Sequence, residues 1–255
     1  MKLSIVTPVL NDLRVGLALD SILSQQLNAE LELIVIDGGS TDGTLNLLQE
    51  YSAHISVLVS EPDQGIYDAM NKGIALATGD VIGILNADDR YYDNLVLNDV
   101  LQVFNDPEID ACYGDGIYVD GQDRVVRYYK SGAFRPAKFY LGWMPLHPTC
   151  FIRKSVYDRC GAFDLRYSIA ADYDLLLRLI LKDKISMQCL DRLLLRIAIG
   201  GHSNKSLINR LKGNIEVFQA WRNSNIHFGY FGYIVPFLKP AQKIFQFVQR
   251  PAQER

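Results

Sequence analysis

Long apolar runs are missing from this chain. No stretch of its 255 residues approaches the roughly 18 apolar residues that a bilayer crossing needs, so a membrane-spanning protein is not expected. Cysteine is sparse. The four residues Cys112, Cys150, Cys160 and Cys189 form no C-x-x-C pair, which argues against structural zinc and against a disulfide framework. The opening MKLSIVTPVL has one lysine but neither a long apolar core nor a cleavage site, so it reads as a first strand rather than an export signal. A reduced, cytoplasmic setting is the expectation. A dominant charge sign is also lacking: 26 Lys/Arg stand against 29 Asp/Glu, and nothing suggests nucleic acid as a partner. Neither a dinucleotide G-x-G-x-x-G nor a P-loop G-x-x-x-x-G-K occurs.

What is present is an alternation. LSIVTPV (3–9), LELIVID (31–37), ISVLVSE (55–61) and VIGILNA (81–87) are short and nearly continuous in Ile, Leu and Val, the pattern of parallel strands covered on both faces. Between them, residues 13–26 place Leu13, Leu17, Leu19, Ile22 and Leu23 largely on one side, and residues 66–77 do so with Ile66, Ala69, Met70, Ile74 and Ala77. Short joins between such segments predict right-handed βαβ units. After Asp110 the rhythm changes. GIYVDGQDRVVRYY (116–129) predicts a hairpin turning at Asp120-Gly121, AADYDLLLRLILKDK (170–184) a helix, and MQCLDRLLLRIAIGG another strand. From Asn204 onward eight Lys/Arg face two Asp/Glu, so a basic, aromatic helical extension (204–255) is expected behind a main domain (1–203), itself divided into 1–110 and 111–203.

Polar residues collect where the strands end. Thr7, Pro8, Asn11 and Asp12 follow the first strand, Asp37 and GGSTDGT the second, Glu61 and PDQG the third, Asn86, Asp88 and Asp89 the fourth. Ligands of open α/β sheets bind beyond those carboxyl ends. DGGSTDGT (37–44) reads equally as a tight turn with a helix cap or as an acid placed to accept from a nucleobase N–H or ribose hydroxyl. NADD (86–89) reads either as a turn exposing two acids or as a place for Mn²⁺ or Mg²⁺ carrying substrate phosphates. Asp172 and Asp174 open a helix, where acids are favoured by about 0.3–1 kcal/mol in any case. His147 and His202 lie in loops and are secondary candidates, His202 for a metal.

Taken together these motifs resemble the family 2 glycosyltransferases of the GT-A fold. TPVLN is similar to that family's P-x-[YF]-N, VIDGGSTDGT to V-D-D-G-S-x-D-G-T, and GAFDLRYSIAADYDLLLRL to its GGFDE…EDYDLWLRL block. The segment EPDQGIYDAMNKGIALATGDVIGILNADD is similar to members from bacterial O-antigen and exopolysaccharide clusters. The resemblance covers residues 3–200. It implies an α/β, Rossmann-like, mostly parallel sheet flanked by helices and an inverting transfer of a sugar from a nucleotide diphosphate, with UDP the expected carrier. It further implies Asp37 at the nucleobase, with Thr7, Pro8, Asn11, Asp63, Lys72, Asn86 and Ala87 lining the donor site. Asp88 corresponds to the metal and diphosphate ligand, assisted by Asp89, and Asp172 to the general base. Trp143 and His147 fall on the acceptor side. Gly38, Asn86 and Ala171 stand where the family carries acids, and Met70 where many members have arginine.

Two other classes share part of this chemistry. A sugar-phosphate nucleotidyltransferase would carry a glycine-rich, arginine-bearing loop after the first strand, and TPVLNDLRVG offers little of it. A sugar-nucleotide-binding protein without turnover is compatible with Asn86 and Ala171. The acceptor implied is an oligosaccharide or lipid-linked saccharide. FGYFGYIVPFLKPAQKIFQFVQR (228–250) mixes aromatic and basic residues, which suits peripheral membrane contact or packing against the domain or a second copy.

Overall fold

The computed structural model describes residues 1–199, 207–224 and 226. Strands β1 (Lys2–Val9), β2 (Glu30–Asp37), β3 (Val57–Ser60) and β4 (Val81–Ile84) form a parallel half-sheet in the order β3-β2-β1-β4. Helices α1 (Val15–Leu23), α2 (Thr44–Glu50) and α3 (Ile66–Leu76) make the crossovers. Period-2 alternation sends Leu3, Ile5, Leu33 and Val35 into one core with α1 and α4 (Val96–Val103). Val6, Ile34 and Ile36 enter a second core on the opposite face with α3. Burial on both faces is why these strands carry no polar alternation. β3 is the exception. It closes the edge with residues alternately half-buried and exposed, so coverage on both faces, expected for 55–61, stops at β2.

Beyond β4 the sheet turns antiparallel. β8 (Phe151–Arg153) pairs with β4 and with β6 (Ala111–Val119), and β7 (Val125–Tyr129) folds back on β6 as a hairpin. β9 (Met187–Ala198) then runs parallel to β6 and carries the two-residue β5 (Arg90–Tyr91) on its far side. The hairpin turn spans Asp120 to Arg124, with Asp123 rather than a glycine at positive φ (61°). The longer loop takes the left-handed step three residues later than Asp120-Gly121 suggests.

Two helices differ in phase or extent from expectation. α1 buries Val15, Ala18, Leu19 and Ile22. Leu13 and Leu17, expected inward, are about half exposed, as is Ile66 at the start of α3. Leucines stand on both sides of α1, so spacing alone allows either phase. The helix predicted for 170–184 is α6 (Ala171–Leu177) followed by a wider π-helical turn, Arg178–Lys182. Gly73 lets α3 lie on β1: a Cβ there would sit 2.2 Å from Val6 Cγ1. Within the expected helical extension (204–255), the described part packs on the main domain. Helix α7 (Leu207–Asn223) puts Val217, Ala220 and Trp221 into the core that holds α6. No helix among the described residues is long and apolar enough to cross a membrane. The segment 228–250 and His202 lie outside the described residues.

Candidate active site

The loops after β1 and β2 are fastened to each other. Asn11, at a positive φ of 48° that asparagine tolerates well, donates its N–H to Ser40 Oγ (2.7 Å). Its Oδ1 accepts from Thr41 N–H (2.8 Å). Asp12 N–H donates to Thr44 Oγ1 (3.0 Å). TPVLN and GGSTDGT thus act as one wall, with Asn11 as a brace. Thr7 and Pro8 are buried at the base of this wall, and Thr7 Oγ1 has no hydrogen-bond partner.

Asp37, expected to face a nucleobase, is wholly buried. It accepts from the Ser40 N–H (3.1 and 3.2 Å) and from Ser60 Oγ (2.6 Å), so it shapes the loop from inside. The neighbouring open acid is Asp63. Its Oδ1 accepts from Gly65 N–H (2.8 Å), and its Oδ2 lies 2.4 Å from where a Cβ on residue 38 would be. Asp63 therefore occupies the space that Gly38 leaves empty. Lys72 is engaged elsewhere, with Glu61 (2.8 Å), Asp68 (3.6 Å) and Pro62 O (3.3 Å). It braces the β3–α3 loop, and Met70 is buried in the core.

The two adjacent carboxylates after β4 have separate lives. Asp89 is only 2% exposed. It accepts from Asn86 Nδ2 (2.9 Å) and from the Ala198 N–H at the end of β9 (3.2 Å). Burial, and then the charge of Asp88, push its pKa up to about 7. So enclosed, Asp89, expected to assist at the metal, supports Asn86 here. Asp88 keeps an 18% exposed side chain and faces Arg14 Nη2 at 3.4 Å. Arg14 is itself held by Asp12 (2.8 and 2.5 Å). Asn86 Oδ1 is buried without a partner, and Ala87 is buried between them. Arg14 had no motif to mark it; only its place at the mouth of β1 does.

Asp172 stands at the start of α6, where its Oδ1 accepts from the Tyr173 N–H (2.8 Å) and Tyr67 Oη (3.4 Å). Burial and then the Asp172 charge drive the Tyr67 hydroxyl well above its ordinary pKa, so Tyr67 remains a donor. His147 is buried with its ring edge-on to Phe163 (centroids 5.4 Å). Burial lowers its pKa, against the pull of Asp172, leaving a neutral imidazole beside that carboxylate. Trp143 donates Nε1–H to Ser131 O (2.9 Å) and packs against Tyr113. Tyr118 links the two halves. Burial raises its hydroxyl pKa, Arg127 opposes, and the charges of Asp89 and Asp172 both add to the rise. Arg127 lies flat on that ring, 3.6 Å from the centroid. The period-2 pattern of the hairpin gives no hint of this stacked pair.

The family model described as Glycosyl transferase family 2 matches residues 4–161. The chain belongs to that family. A PGL/p-HBAD biosynthesis glycosyltransferase of Mycobacterium bovis is 33% identical over 179 residues, covering 69% of this chain and 68% of the relative. An uncharacterized glycosyltransferase of Mycobacterium tuberculosis is 32% identical over 216 residues, 80% of this chain and 79% of its own. Among solved structures, S. aureus TarS 1-349 in complex with UDP superposes with a TM-score of 0.70 at 18% identity, covering 92% of this chain and 70% of TarS. Mannosyltransferase PcManGT from Pyrobaculum calidifontis, in complex with GDP-Man and Mn2+, gives 0.65 at 18%, covering 93% and 68%. The glycosyltransferase therefore has the GT-A fold.

Among the described residues no three His, Cys, Asp or Glu side chains are grouped to hold a metal ion. That does not bar Mg²⁺ or Mn²⁺, which are commonly held by one or two carboxylates plus substrate phosphates and water. The half-open Asp88 and the unpartnered Asn86 Oδ1 fit such an ion.

Proposed function

We propose that this glycosyltransferase moves a sugar, with inversion, from a nucleotide diphosphate donor to a hydroxyl of a lipid-linked saccharide in bacterial surface polysaccharide synthesis. UDP is the favoured carrier. The observation that supports the chemistry best is the contrast between two carboxylates. Asp88 sits beside a cationic partner, while among the described residues Asp172 accepts from an N–H and a phenol. An adjacent cation favours the charged form of a carboxylate, so the two acids are suited to different work.

In this reading Asp172 Oδ accepts the proton of the acceptor hydroxyl as that oxygen attacks the anomeric carbon from the face opposite the diphosphate. One positioned base serves such a displacement, contributing about 10²–10⁴-fold. Tyr67 and the Tyr173 N–H hold the carboxylate in orientation. Asp88, with Asn86 Oδ1, would hold Mn²⁺ or Mg²⁺, which supplies Lewis-acid neutralisation of charge on the departing diphosphate. Arg14 sits beside Asp88 at the mouth of β1. Asp63, in the space beside Gly38, accepts from the nucleobase or ribose, braced by the Asp37 loop. Trp143 and the 228–250 segment are assigned to the acceptor side. Relatives and neighbours whose names carry PGL/p-HBAD biosynthesis, UDP-GlcNAc and GDP-Man support a nucleotide-sugar donor.

Calorimetric titration of UDP, GDP, dTDP and CMP, with and without Mn²⁺, into wild type and Asp88→Ala tests the donor site. Mn²⁺-dependent binding of one nucleotide, lost in the variant, is expected; equal binding by both proteins would move the ion away from Asp88. Asp172→Asn should lower turnover at least 10²-fold while nucleotide affinity stays within twofold. Wild-type turnover there would remove Asp172 as the base.

A further inference from the structure

We infer that Glu216, on α7, is a positioning residue for Asp172; this rests on the assignment of Asp172 as base. α6 begins without a side-chain cap of its own. The first N–H groups of a helix lack intrahelical partners and must find acceptors elsewhere. Here a single carboxylate from far along the chain instead holds the entry to the helix, the N-cap residue Ala170 and the two residues before it. Glu216 Oε2 accepts from the Ile169 and Ala170 N–H groups (2.8 Å each), and Oε1 from the Ser168 N–H (3.1 Å) and Ser168 Oγ (3.0 Å). Glu216 is 4% exposed, and a carboxylate so buried is worth its desolvation only when its oxygens are well hydrogen-bonded. Four donors meet that condition.

The geometry ends two residues short of the base. Ile169 is held on three sides: its N–H by Glu216, its carbonyl by Tyr67 Oη (3.0 Å), and its side chain against α7, where a Cβ on Gly213 would come within 3.2 Å of Ile169 Cγ2. Tyr67 is also the phenol that reaches Asp172. Glu216, Ile169, Tyr67 and Asp172 thus form one chain of contacts, and loosening the first frees both the backbone and the phenol that orient the last. The start of the same loop has separate anchors. Asn71 pairs with both backbone groups of Phe163 (2.8 and 2.9 Å), and Arg178 donates to Cys160 O and Ala162 O. Those fix the loop; Glu216 fixes the entry to α6. Helix α7 therefore contributes Glu216 to the positioning of the base as well as apolar side chains to the core.

The test compares Glu216→Gln, Glu216→Asp and Trp221→Phe in the full chain. In either orientation Gln turns an NH₂ toward backbone donors that need an acceptor. Trp221→Phe deletes the Trp221 Nε1–Tyr173 Oη bond (2.8 Å), which joins the same two helices without touching 168–170. Hydrogen exchange of residues 166–174 is read first, then release of UDP or GDP from UDP-N-acetylglucosamine or GDP-mannose with water as acceptor. Glu216→Gln should speed exchange there at least tenfold and lower kcat at least tenfold, with donor KM within twofold. Glu216→Asp should recover part of kcat, and Trp221→Phe should leave both readings near wild type. Unchanged exchange, or an equal fall in kcat for Trp221→Phe at matched Tm, would overturn the inference. Full turnover in Glu216→Gln beside an inactive Asp172→Asn overturns it alone; full turnover in Asp172→Asn overturns the base assignment and this inference with it.

Discussion

Asp89 makes the protein pay for alkaline pH. Its folded pKa of about 7 exceeds the ordinary 3.8, so the folded chain binds this proton more tightly than the unfolded chain does. For a group with a raised folded pKa, stability falls as pH rises through that window. The gap of about three pKa units corresponds to about 4 kcal/mol once the group is fully ionised, at 1.36 kcal/mol per unit. Between pH 5 and pH 8 the linkage relation leaves about 2–3 kcal/mol of that loss to be seen. His147, whose pKa is lowered by burial, acts in the opposite sense, since its neutral folded form loses stability as pH falls. The comparison is therefore wild type against Asp89→Asn, by urea unfolding at half-unit pH steps. The difference between the two curves should tilt by about 2–3 kcal/mol against wild type from pH 5 to pH 8. Because the second cause of the shift is the charge on Asp88, Mn²⁺ with nucleotide should reduce the tilt. A flat difference curve would refute the reasoning, because it would mean that water or relaxation solvates Asp89 despite its burial.

Other substitutions probe separate links. Gly38→Ala drives a Cβ into Asp63 Oδ2; the flexible carboxylate should swing aside, weakening nucleotide binding roughly 3–10-fold by calorimetry, about one hydrogen bond, with Tm little changed. Gly73→Ala meets Val6 at 2.2 Å, a core contact that cannot swing, and should cost about 1–3 kcal/mol in urea unfolding. Glu32, for which burial is outweighed by hydrogen bonds from Ser4 and Thr78, is held at about 2. Its contribution is present above the ordinary carboxylate pKa and lost as pH falls through about 2, so Glu32→Gln should unfold at higher pH in acid titration followed by circular dichroism. For the 228–250 segment, liposome flotation of the full chain against a truncation after Asn225 should show binding only by the full chain.

The parallel half of the sheet was legible because its physics is local: strands buried on both faces are nearly continuous in apolar residues, as β1 and β2 are apart from a few hydrogen-bonded polar groups such as Ser4 and Glu32. α1 was legible as a helix but not in phase, since Leu13 and Leu17 sit as well on one side as Val15 and Ala18 on the other, and only the sheet beneath decides. The site shows the same division. Asp88 and Asp172 stand out by motif. What separates Asp88 from Asp89 is an N–H at Ala198, brought in by β9 more than a hundred residues later, and no spacing announces that. Gly38 looked like a loss in the sequence; the structure puts Asp63 in its place. Glu216 carries no motif at all, because each of its partners lies 46 to 48 residues upstream.

That separation has a consequence during synthesis. A ribosome adds roughly 5–20 residues per second, so several seconds pass between the appearance of Asp172 and that of Glu216. In that interval every signature motif has been made, the donor wall can close, and the entry to α6 still has no acceptor for its N–H groups. Nascent chains of this glycosyltransferase should therefore acquire nucleotide binding before they acquire turnover, which waits at least for α7.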